Sequence, residues 1–252
     1  MTRFFVAAGF TLVALAAGPA EAETRAFRAD YSVTLLGLPV ARASFDSTFE
    51  GERFRIEGSL SSSGIARLFD DTKGTTRVEA VIRGGNVRPS AFSANYVSGR
   101  KKGSTEIRFA GGAVASFVNK PQKTRDPKTW VAVSVAHLKA ALDPLSSSLV
   151  VAAKAEEVCN RTIPFFDGEL RANLKLAPAS GPKGDRVTCT VRFEPVAGYR
   201  TNRKQIDYLK NHSRMSITFA PLPGAGIYTP VDVSVGTQIG TLRIQATRVA
   251  AR

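Results

Sequence analysis

The sequence predicts an all-β-dominated fold. It is one strongly curved antiparallel sheet (an open half-barrel, a β-spiral or a barrel) with two short helices at about 134–153 packed on its inner face. Three observations carry this reading. Apolar and polar side chains alternate with period 2 along most of the chain. Leu170, Ala172, Leu174 and Leu176 are interleaved with Glu169, Arg171, Asn173 and Lys175; Val187, Cys189, Val191 and Phe193 are interleaved with Arg186, Thr188, Thr190 and Arg192. Such alternation sends one face of a strand into a core and the other into water. Turn residues punctuate these runs every 8–12 residues or so, an all-β spacing. Finally, one stretch alone, Val135 to Leu149, carries a helical apolar stripe.

The elements follow in order. Phe27, Ala29, Tyr31, Val33 and Leu35 form the inward positions of a first strand. It turns at Gly37-Leu38-Pro39 and returns through Ala43, Phe45 and Phe49. Glu50-Gly51-Glu52 leads into Phe54, Ile56, Gly58 and Leu60, with Arg53, Arg55 and Glu57 outward. Ile65 to Phe69 reads as one helical turn or a loop plugging the sheet end. Further strands run through Val78, Phe92, Ile107 and Val118, separated by Gly84-Gly85, the basic turn Gly99 to Gly103, and Gly111-Gly112. A polar loop spans Lys120 to Trp130. Val135, Leu138, Leu142, Leu145 and Leu149 then predict helices over about 134–142 and 144–153, bent at Asp143-Pro144, where an N-cap precedes proline at the first helical position. Asp167-Gly168 between two alternating runs predicts a two-residue hairpin turn. The tail adds strands around Met215 to Phe219, Val231 to Val235 and Leu242 to Ala246.

Residues 1–22 read as a secretory signal peptide. Arg3 supplies the basic region, Phe4 to Ala17 the apolar one, and Ala20-Glu21-Ala22 the cleavage site. The apolar stretch is short for a membrane span, which needs about 20 residues, and no later stretch approaches that length. Residues 23–252 are therefore expected to be a single β-rich periplasmic domain with no transmembrane segment.

Two cysteines are present, Cys159 and Cys189. An exported pair reads as a disulfide, with buried thiols as the alternative. The outer strands of a flat three-stranded meander lie about 9.5 Å apart, whereas a disulfide needs Cα atoms within about 7 Å. Cys159 is thus expected outside the flat ladder, on the segment arriving from the helix, or else the sheet coils strongly there.

The formal charge is +14 and the pI near 10.2. This favours anionic envelope partners, or solubility alone. Nucleic acid is excluded as a partner for an exported chain that lacks the basic-aromatic signature of strand binders. Arg200, Arg203, Lys204 and Lys210, near Tyr199 and Tyr208, form the one candidate basic patch, with a solvated loop as the plainer reading. The two histidines, His137 and His212, sit in no metal-ligand pattern. Asp70-Asp71 are adjacent, and so suit a turn better than paired acid-base work. No nucleophile elbow, phosphate loop or dinucleotide fingerprint occurs. No catalytic, cofactor-binding or metal residue is assigned, and no cofactor is implied.

Several stretches together resemble an exported family of Gram-negative bacteria, domain of unknown function 3108. They are Tyr31 to Phe45, Gly58 to Phe69, Leu142 to Ser146, Cys159 to Leu176 (CNRTIPFFDGELRANLKL), Cys189, and Ala197 to Arg200. Where members of that family often carry a basic residue, this chain has Glu169. The resemblance implies an exported β-rich protein and supplies no catalytic residues. The function expected is non-enzymatic support of the cell envelope, with a lipid, acyl chain or partner segment held on a concave sheet face at positions such as Phe45, Phe54, Ile107, Leu174, Val191 and Phe193. Two alternatives are a basic module docking on anionic envelope polymers or proteins, and a hydrolase of envelope polymers.

Overall fold

The computed structural model describes residues 24–64, 66–69, 71–179 and 181–252; the leader expected at 1–22, with cleavage after Ala22, lies outside them. The alternating runs build one antiparallel 14-stranded sheet. Seven strands come first: β1 (Thr24–Leu35), β2 (Leu38–Glu50), β3 (Arg53–Ser62), β4 (Thr72–Arg83), β5 (Asn86–Ser98), β6 (Lys101–Ala110) and β7 (Ala113–Lys120). Each pairs with its predecessor, and α1 (Ala66–Phe69) lies between β3 and β4. After an irregular stretch holding β8 (Trp130–Val131) and β9 (Val150–Val151) come β10 (Arg161–Phe166), β11 (Arg171–Pro178) and β12 (Val187–Ala197). Then follow β13 (Tyr199–Arg200), α2 (Lys204–Asn211), β14 (Met215–Leu222), β15 (Ile227–Thr237) and β16 (Gly240–Ala251). β16 pairs with β1, so the strand order is β10-β11-β12-β14-β15-β16-β1-β2-β3-β4-β5-β6-β7, with β9 added alongside β15.

The ladder is not closed, since β7 and β10 are its edges. Bare edges expose unpaired backbone groups, and here a single segment serves both. Lys139 bridges Ala113, and the Ala140 N–H donates to Gly112 O at 3.0 Å. Three residues on, the Leu142 N–H donates to Pro164 O at 2.7 Å and Leu142 O accepts from the Phe166 N–H at 2.8 Å. Side chains continue the seam towards the other end. Asn119 Nδ2 donates to Gly168 O at 2.7 Å, Phe117 meets Phe166 edge-on at 5.1 Å, and Arg125 pairs with Glu169 while stacking 4.5 Å over Trp130. Glycine is required here: a Cβ on Gly168 (φ 97°) would lie 2.5 Å from Thr105 Cγ2. Gly198 (φ 79°) is equally constrained, because its Cβ would fall 1.6 Å from Glu169 O.

The two helices expected over 134–153 are short 3-10 turns instead, Val135–Leu138 and Ser146–Ser148. The reason is competition for backbone groups. Residues 139–142 give theirs to the sheet edges, and Ser147 and Ser148 donate their hydroxyls to Pro144 O and Leu145 O, a local bonding that favours turns over helix. The apolar stripe still points inward, through Leu138, Leu145 and Leu149, except that Val135 is exposed. These residues join Phe27, Phe49, Phe54, Ile56, Val78 and Ile107 in one core cluster. Val150, Val158 and Cys159 join Ile163, Leu176, Val187, Cys189 and Phe219 in the other.

Two local expectations are corrected. The Asp167-Gly168 turn is a four-residue connection between β10 and β11, because the Asp167 carboxylate accepts the N–H groups of Glu169 (2.8 Å) and Leu170 (2.7 Å). Arg171, expected outward, is buried at the register shift beside Ala172. Its guanidinium donates to His137 O at 2.8 Å and to Asn173 Oδ1 at 2.9 Å, which ties the inner segment to β11.

Cys159 and Cys189 form a disulfide, with Cα atoms 5.7 Å apart and a sequence separation of 30. Cys159 lies off the ladder, between the 3-10 turn Ala155–Glu157 and β10. Closing such a loop limits the unfolded chain by about 3–4 kcal/mol. The double substitution Cys159→Ser, Cys189→Ser is therefore expected to lower unfolding free energy by that amount in urea. A loss below about 1 kcal/mol would show that the inner segment is held without it.

Asp143, fully buried, accepts the N–H groups of Leu145 and Ser146, both at 3.0 Å, and burial pushes its pKa up. The folded chain thus holds this proton more tightly than the unfolded chain. Its contribution to stability is complete below the ordinary carboxylate range and is lost as pH rises through that range towards the raised value. Asp143→Asn keeps an acceptor for both N–H groups, so it should flatten the stability profile across and above the ordinary carboxylate range. Asp143→Ala should flatten it likewise and lie about 1–2 kcal/mol below Asp143→Asn throughout. Urea midpoints across that range decide it; equal losses for both variants would contradict the assignment.

Candidate functional site

The site begins with small residues at inward positions. β1 presents Ala29, β2 Ala43, β4 Gly74 and β5 Ala94, where neighbouring inward positions carry Phe27, Phe49, Ile56 or Val78. Beside them β3 has Gly58, against which the Phe45 ring packs; a Cβ there would be 2.6 Å from that ring. Side chains of native size would fill this space at crystal-like density. Their absence leaves a cavity of about 520 Å³ between β1–β5, β14–β16 and the inner turn at Pro144–Leu149. That lies within the roughly 300–1,000 Å³ of small-molecule pockets.

Its floor is aromatic. Phe27 and Phe49 meet edge-on at 5.9 Å, and Phe49 stacks on Phe54 at 5.5 Å. Leu145, Leu149 and Leu222 complete this end and are all buried. At the opposite end, near the close of β3, Leu60 lines the cavity and is 42% exposed, so the mouth lies there. The walls are nearly all apolar. No charged side chain is among the described residues that line it, and its polar members are Ser, Thr and Asn side chains and Tyr31. Tyr31 is satisfied internally: its hydroxyl donates to Pro230 O at 2.7 Å, its ring meets Phe45 edge-on at 5.7 Å, and burial raises its pKa. Such a chamber can hold an uncharged, elongated apolar group by excluding water. It presents no acid-base pair and no nucleophile with an adjacent base.

Of the six concave positions expected from sequence, only Phe45 lines the cavity. Phe54, Ile107, Val191 and Phe193 are buried in packed core, and Leu174 is partly buried against it. The set Ala29, Ala43, Gly74 and Ala94 was the available signal, since inward glycine or alanine on neighbouring strands means missing volume.

The other candidates stand apart from the cavity. His137 Nδ1 accepts the Ser134 N–H at 3.2 Å, and His212 caps α2 with its ring 5.8 Å from Tyr208. Asp71 pairs with Lys73 at 3.3 Å, whereas Asp70 lies outside the described residues. Arg200 is on β13 and Arg203, Lys204 and Lys210 on or beside α2. Among the described residues no three His, Cys, Asp or Glu side chains gather as a metal site, and no helix is long and apolar enough to cross a membrane.

Comparison with curated proteins finds no match. Among solved structures, the chain is similar to a beta-barrel-like protein of domain of unknown function DUF1849 from Brucella abortus. The identity is 9% and the TM-score 0.47, over 90% of this chain and 98% of that one. A family model described as a protein of unknown function, DUF3108, matches residues 30–247. The chain belongs to the DUF3108 family.

Proposed function

We propose that this chain is a non-enzymatic periplasmic protein of the cell envelope that binds a lipid acyl chain in its sheet-lined cavity. The observation that carries the reading is a cavity of about 520 Å³ with no charged lining residue among those described and with the exposed apolar Leu60 at one end. Export is supported by the leader-like residues 1–22 and by the Cys159–Cys189 disulfide. Burial of methylenes supplies the binding energy, about 0.8 kcal/mol each, less the cost of association. The polar head of the ligand stays at the mouth, near Leu60 and Asn95.

The test is uptake of a fluorescent fatty acid by delipidated protein, with competition by an unlabelled long-chain fatty acid. Stoichiometric, competable uptake is expected. Ala43→Phe places a ring inside the chamber and should weaken uptake by about tenfold or more, at a stability cost of about 1–3 kcal/mol. No uptake by the parent protein, or uptake untouched by this variant, would reject the reading.

A further inference from the structure

The β1–β2 turn puts leucine where neither backbone nor burial favours it. Leu36 has φ 53° and is 67% exposed. Left-handed backbone at a hairpin tip favours glycine, asparagine or aspartate, and is strained for a bulky side chain. Leu38, two residues on, is 50% exposed. The neighbouring β15–β16 tip carries Ile239, 68% exposed. The two tips are joined, because the Leu36 N–H donates to Thr241 O at 3.1 Å and its side chain covers Gly240. The three residues therefore form one projecting apolar point.

Strand pairing places this point on a basic rim. The β3–β4 and β5–β6 connections, the end of β15 and the start of β14 all lie at the same end of the sheet as the β1–β2 turn. That rim carries exposed Arg100, Lys101 and Lys102 on the β5–β6 turn, and exposed Arg203, Lys204 and Lys210 around α2. Several arginines on the sheet exterior are paired, as Arg77 is with Glu79 at 2.7 Å and Arg28 with Asp46 at 3.1 Å. Among the described residues the six rim cations make no ion pair. Apolar tips beside unpaired cations are the composition that seats a protein in the headgroup region of an anionic bilayer.

We propose that this rim docks on the surface of an anionic phospholipid bilayer, with Leu36, Leu38 and Ile239 entering the interface. The surface is defined without reference to the cavity. That docking would also bring the mouth at Leu60 to the lipid rests on the acyl-binding reading above.

The experiment is co-sedimentation of the full chain with phosphatidylethanolamine–phosphatidylglycerol vesicles and with phosphatidylcholine vesicles, at low and high salt. Binding to the anionic vesicles is expected, weakening with salt and with Lys101→Glu, Lys102→Glu. The variant Leu36→Asn, Leu38→Ser, Ile239→Asn should lose about tenfold or more in vesicle affinity. Because asparagine accepts the left-handed backbone, that variant should keep the parent's urea midpoint and its fatty-acid uptake in solution. No binding by the parent, equal binding to neutral vesicles, or unchanged binding by the tip variant would each overturn the proposal. Fatty-acid uptake, read separately, reports on the cavity alone.

Discussion

The structure depends on how one very long antiparallel ladder ends. A sheet that curls through thirteen consecutive strands must either pair its two edges or cover them. This chain covers them with the segment 139–142, which bonds to β7 through Lys139 and Ala140 and to β10 through Leu142. Residues flanking that segment, Leu138, Leu145 and Leu149, pack inside the curl, so one stretch of sequence both bridges the seam and packs part of the concave face. Arg171, buried and bonded to His137 O, and the Cys159–Cys189 disulfide fasten the two ends of that insert to the sheet.

The cavity follows from what the insert does not reach. Leu138, Leu145 and Leu149 pack one part of the concave face, and Val150, Val158 and Cys159 another. Across β1–β5 several inward positions are alanine or glycine, and the insert lines the space at Pro144, Leu145, Ser148 and Leu149 without filling it. A packed core tolerates few voids larger than a water molecule, and the chamber here is about 520 Å³ with no charged side chain among the described residues that line it.

The sheet was legible because a period-2 pattern has only one economical reading; strand spacing left Cys159 either off the ladder or on a strongly coiled sheet, and the structure places it off the ladder. What was not legible depended on partners distant in sequence. The stripe from Leu138 to Leu149 reads as helix by spacing, but its backbone groups are claimed by Gly112 and Pro164. Arg171 reads as outward until the register shift beside Ala172 turns it in. Large apolar residues such as Phe54 and Phe193 read as a concave face but are core, while the cavity is lined by small residues elsewhere on β1, β2, β4 and β5. The β1–β2 turn was legible at Gly37-Leu38-Pro39, and it falls at Leu36-Gly37 because Leu38 and Pro39 already pair in β2. Its importance needs the backbone angle at Leu36 and the adjacency of Ile239, neither of which a linear pattern contains.

Native mass spectrometry of the protein purified gently from the cells that make it, followed by organic extraction of bound material, tests the central claim most directly. A stoichiometric adduct whose extracted component carries a long acyl chain is expected. A clean apo mass from gently purified protein, with nothing apolar in the extract, would contradict it and leave the chamber an empty feature of the sheet.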